Sequence, residues 1–115
     1  MSRVFIFEST HLDISGMSKY GEVVTLFEEG ASRRPLRDQK LESQILGKLI
    51  TLGFNVEKDY VGIVGSHLGV CIFISAIVST YGAFRCVVFD AVRQDYFERN
   101  LGHMIDQDIF EVSRG

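Results

Sequence analysis

The sequence predicts an α/β fold: a small, mainly parallel sheet of four to five strands, with helices on both faces and room for a C-terminal hairpin. Three observations predict it. Short apolar runs at 4–7, 23–27, 61–64 and 84–89 show little polar alternation, as expected of strands covered on both faces. Helical patterns at 35–52 and 67–81 separate the later runs, which is the alternation of a parallel sheet with crossover helices. Gly53, Gly65 and Gly82 fall where those elements should stop or turn.

The first strand covers 3–8. The loop from Ser9 to Gly16 is rich in Ser, Asp and Gly and has room for one helical turn. The second strand covers 22–27, and a surface loop carries Glu28, Glu29, Arg33 and Arg34. Pro35 suits the first turn of the next helix. Leu41, Ile45, Leu49 and Leu52 recur at helical spacing and form its buried stripe. The third strand is 61–64. Gly65 allows a sharp exit, Ser66 is a plausible N-cap, and Gly82 closes the second helix. That helix is apolar nearly all round, so burial on more than one side is expected. The fourth strand is 84–89 and a fifth is expected at 96–100. Residues 101–115 suit either an edge strand or a docked tail.

No Asp, Glu, Lys or Arg occurs between Tyr60 and Phe84, a length that raises the question of a membrane span. About 20 apolar residues are needed to cross a bilayer. The Gly65-Ser66-His67 interruption leaves only about 14 continuously apolar residues, nearer a buried core helix. The expectation is no membrane span.

At 115 residues the chain suits one domain. Hydrophobic residues make up 46% and charged residues 23%, enough for a packed core. A net charge of −3 and no basic cluster beyond Arg33-Arg34 argue against a duplex nucleic-acid binder. Cys71 and Cys86 both lie in apolar settings and read as buried thiols of a reducing compartment. The apolar run at the N-terminus is too short for a signal peptide, and a cytoplasmic location is expected. No CxxC or H-E-x-x-H spacing occurs, so neither a metal nor another cofactor is expected.

In an open parallel sheet, ligands bind beyond the carboxyl ends of the strands. The residues that follow the strands are therefore the candidates: Ser9, Thr10, His11 and Asp13; Glu28, Glu29, Arg33 and Arg34; Gly65, Ser66 and His67; and Asp90 and Arg93. Of these, Ser9, Thr10, His11, Arg34, Gly65, Ser66, His67 and Arg93 are the candidate ligand contacts. The Gly65-Ser66-His67-Leu68-Gly69 turn opens a helix, where backbone N–H groups and the helix dipole attract anions. It lacks the spacing of a dinucleotide fingerprint and the lysine of a P-loop. An ordinary capped turn explains the same residues. His67 and His11 are candidates for a donor or general acid, because an imidazole titrates near neutrality. Arg34 and Arg93 suit a phosphate by forked hydrogen bonding, and equally suit a solvated surface. Tyr20, Tyr81 and Tyr96 fit either base stacking or the core.

Several short stretches resemble small proteins of tailed phages and other mobile elements. They are Thr10-His11-Leu12-Asp13-Ile14-Ser15, Tyr20-Gly21-Glu22-Val23-Val24, Asp59-Tyr60 before the apolar strand, Gly65 after it, and Phe89-Asp90-Ala91 with Tyr96. The resemblance spans most of residues 3–99. The size and layout are also similar to viral ring nucleases that degrade cyclic oligoadenylate, at the level of fold. These likenesses imply a phage-type accessory protein that binds a small phosphate-bearing ligand, such as a nucleotide immune signal, with binding favoured over turnover. The competing expectation is a protein-interaction module, a host-factor inhibitor or assembly component, acting through a homodimer or partner surface.

Overall fold

Parallel strands joined by helices need right-handed crossovers, and that rule organises the chain. The computed structural model describes residues 2–8, 13–27 and 39–102. Its elements run β1 (Arg3–Glu8), a 3-10 helix (Ser15–Tyr20), β2 (Glu22–Phe27), α1 (Leu41–Thr51), β3 (Tyr60–Gly62), α2 (His67–Tyr81), β4 (Ala83–Asp90) and β5 (Asp95–Gly102). The five strands form one sheet in the order β2-β1-β3-β4-β5. The first four are mutually parallel, and β5 returns antiparallel to β4 as the C-terminal hairpin.

Because the chain moves one way from β1 to β2 and the other way from β3 to β4, right-handedness puts their connections on opposite faces. The core divides accordingly. On one face Phe5, Phe7, Val61 and Cys86 pack with Leu41, Ile45 and Leu49 of α1 and Phe73, Ala76 and Ile77 of α2. On the other, Val4, Ile6 and Val87 pack with Met17 of the 3-10 helix and Tyr96. Successive residues of β1 serve opposite cores, as the two-residue period of a strand requires. All four apolar residues from Val4 to Phe7 are therefore buried. Each such side chain contributes about 1.5–3 kcal/mol.

Four expectations need correcting. Gln39 and Lys40 form a turn, and α1 starts at Leu41, not at residue 35. Lys40 caps it without a side-chain hydrogen bond, and Pro35 lies outside the described residues. The third strand pairs only over Tyr60–Gly62; Ile63 still donates to the Val87 carbonyl at 3.0 Å. Beyond that bond the chain turns away toward α2. Leu52 belongs to the predicted α1 stripe but is 38% exposed, because the helix ends at Thr51. The fourth concerns α2, which within a single chain is buried on one side: Leu68, Cys71, Ser75 and Thr80 are exposed. Cys71 is thus an open thiol, whereas Cys86 is buried as expected.

Among the described residues one charged side chain lies in the interior. Asp59, 2% exposed, accepts from the backbone N–H of Arg3 at 3.0 Å and of Asn55 at 2.7 Å. The Arg3 guanidinium stands 3.5 Å from the same carboxylate. It also donates to the carbonyls of Leu52 and Gly53, both at 2.7 Å. A cation at the C-terminal end of α1 is favoured by the helix dipole. Arg3 and Asp59 together tie β1, the end of α1 and the start of β3. Among the described residues no helix is long and apolar enough to cross a membrane.

Candidate functional site

β1 and β3 are neighbours whose connections leave on opposite faces, so a crevice must open beyond their carboxyl ends. A cleft of about 900 Å³ lies at this lip. Ile63, Val64 and Gly65 line it from the turn after β3, and His67, Val70 and Cys71 from α2. Asp13, Ser15, Gly16 and Lys19 come from the 3-10 segment. Phe89, Gln94, Asp95 and Tyr96 come from the hairpin.

The turn into α2 is built locally. Gly65 has φ of 125°, a conformation that disfavours side chains, and a Cβ there would meet Glu8 Oε1 at 3.1 Å. Ser66 is the N-cap: its Oγ accepts from the Gly69 N–H at 3.2 Å. The Ser66 N–H itself donates to Glu8 Oε1 at 3.2 Å. The carboxylate at the end of β1 therefore already sits on the start of α2. It takes one donor and brings a negative charge where the helix dipole would attract an anion. Ser66 acts as the cap and does not line the cleft.

His67 and Cys71 are both exposed and stand four residues apart on α2, so imidazole and thiol share one helix face. On the opposite wall, Asp13 accepts from the Ser15 N–H at 2.9 Å. Hydrogen bonds from the Ser15 side chain and backbone hold its carboxyl below the usual aspartate range. Tyr96 donates through Oη to the Asp13 carbonyl at 3.1 Å and accepts at its own carbonyl from Tyr20 Oη at 3.1 Å. Burial, and then the charge of Asp13, push the Tyr96 phenol up, keeping it a neutral donor. Its ring meets Phe89 edge-on with centroids 5.2 Å apart. Burial likewise raises the Cys86 thiol.

Of the residues expected at the lip, Asp13, Gly65 and His67 come together in the cleft. Arg93 does not line it: the residue is exposed in the hairpin turn, and its N–H bonds the Asp90 carboxylate at 3.2 Å. Ser9, Thr10, His11 and Arg34 lie outside the described residues. The residues beyond the strand ends did not single out Lys19, Cys71 or Asp95 as site residues; Tyr96, named as a stacking candidate, lines the cleft. Asp95 and Tyr96 reach the lip because β5 runs antiparallel, which brings its first residues there. The hairpin pattern was the signal for them. Among the described residues no group of three His, Cys, Asp or Glu side chains converges to hold a metal ion.

Fold and site together define an α/β protein with a mixed five-stranded sheet and an open cleft at its switch point. Compared with family models, with curated proteins and with solved structures, the chain matches none.

Proposed function

We propose that the cleft binds a small nucleotide-type ligand without turnover, as a phage-type accessory protein sequestering a nucleotide signal would. The supporting observation is the lining of the cleft. Ile63, Val64, Val70, Phe89 and Tyr96 make an apolar wall for a ring. Asp13 and Asp95 accept hydrogen bonds from hydroxyl or amino groups, and Lys19 and His67 donate to an anionic group. Its volume falls within the range of small-molecule sites, about 300–1,000 Å³. Glu8 already occupies the Ser66 amide, which leaves the Lys19 and His67 side chains as the donors for the anionic group.

Calorimetry with mononucleotides, the matching nucleosides and inorganic phosphate tests this reading. The expected result is nucleotide binding that Lys19→Ala and His67→Ala each weaken about tenfold, the scale of one charged hydrogen bond, with nucleoside binding unchanged. Cys71 provides a second readout. Its open thiol lines the cleft, so bound nucleotide should slow its alkylation by iodoacetamide, while buried Cys86 stays unmodified. No heat from any nucleotide, together with unprotected Cys71, would overturn the proposal.

A further inference from the structure

Among the described residues the sheet ends at β2 and at β5, and the two edges differ. At β2, Lys48 of α1 donates to the Leu26 carbonyl at 2.9 Å, which sets a charged side chain on the backbone that an incoming strand needs. On β5 the guard is neutral: Tyr20 Oη donates to the Tyr96 carbonyl at 3.1 Å, and among the described residues no charged side chain bonds the β5 backbone. Its pairing with β4 is unbroken from Asp95 to Gly102, with no bulge and no proline. Val87 uses its carbonyl on Ile63, just past β3. Strand alternation then turns Val88 and Cys86 toward their partners Phe97 and Arg99. The amides of Tyr96, Glu98 and Asn100 consequently point outward, along an edge where Phe97 is 41% exposed.

We propose that this edge pairs antiparallel with β5 of a second copy of the chain, with the two-fold axis at Phe97. An axis perpendicular to the sheet keeps each face on its own side, so the facing residues must have numbers of equal parity. A centre at Glu98 or Arg99 sets like charges against each other. A centre at Phe97 places the two Phe97 rings together and sets Asp95 opposite Arg99 of the partner subunit, twice. Opposite charges facing across strands stabilise the pair, and like charges oppose it. Tyr96 and Glu98 of the partner subunit exchange backbone hydrogen bonds. The Tyr96 carbonyl already accepts from Tyr20 and has a second lone pair for this contact.

The test is light scattering and sedimentation of the full chain across a concentration range. The expected mass is twice 13.0 kDa. Phe97→Lys, on an exposed side chain, should give a monomer with an unchanged circular dichroism spectrum. Arg99→Asp should weaken dimerisation by about tenfold or more through like-charge contact, and adding Asp95→Arg to it should restore the dimer. A monomer at every concentration overturns the proposal, as does a dimer indifferent to Phe97→Lys. A dimer that Arg99→Asp leaves intact, or that the double exchange fails to restore, overturns it too.

Discussion

Asp59 shows how much one side chain does for this fold. Its carboxylate satisfies two backbone N–H groups and faces a guanidinium, at 2% exposure. Truncation leaves those donors buried without acceptors, the expensive half of a lost hydrogen bond. Asp59→Ala should therefore lower stability by about 2–4 kcal/mol, and Asp59→Asn by less, since its carbonyl still accepts. Urea unfolding measures both, and equal losses would show that the charge, not the acceptor, matters. Nothing in the sequence marks Asp59 for this work. Its partner Arg3 is 56 positions away, and only the β1–β3 pairing makes them neighbours.

At the scale of elements, two glycines in helices have opposite physics. Gly47 of α1 has nothing within 4 Å of an added Cβ. Gly47→Ala should stabilise by about 1 kcal/mol through helix propensity. At Gly69 of α2 the same methyl meets Ser66 Oγ at 2.7 Å and the Phe7 ring at 2.8 Å. That ring is held by Phe27 and Phe73, with centroids at 5.3 and 6.0 Å. Overpacking costs about 1–3 kcal/mol, so Gly69→Ala should destabilise despite the better propensity. Thermal melts of the two variants read the signs. The elements themselves were largely legible, because doubly covered strands and glycine stops are local patterns. Ser66 as N-cap and Gly82 as stop both hold. Where α1 begins and which side of α2 stays open were not legible. The first has no side-chain cap to announce it, and the second depends on where the sheet ends. The lip was legible from topology, with Gly65 and His67 on it. Its charge was legible only in part: Asp13 follows the first strand in sequence, but Asp95 arrives on an antiparallel strand.

For the whole molecule, the cleft and the β5 edge share Asp95, which lines one and begins the other. If a second copy sets its Arg99 against Asp95, a negative charge at the lip is neutralised. An anionic ligand then meets less repulsion in the dimer than in the monomer. Binding linkage is reciprocal, so ligand must favour the dimer by the same factor that dimerisation favours ligand. An exposed ion pair contributes about 0.2–1 kcal/mol, which bounds the coupling at about 1.4- to fivefold in affinity. Salt should shrink it, since exposed charges are screened over about 10 Å at 0.1 M ionic strength. The expected outcome is nucleotide affinity that falls on dilution through the monomer–dimer transition. Arg99→Ala should bind like the diluted wild type at every concentration. Because both species are monomeric at high dilution, their affinities must converge there. A constant affinity across the transition would show that edge and cleft act independently, and a gap that persists between the two monomers would place Arg99 in contact with the ligand itself.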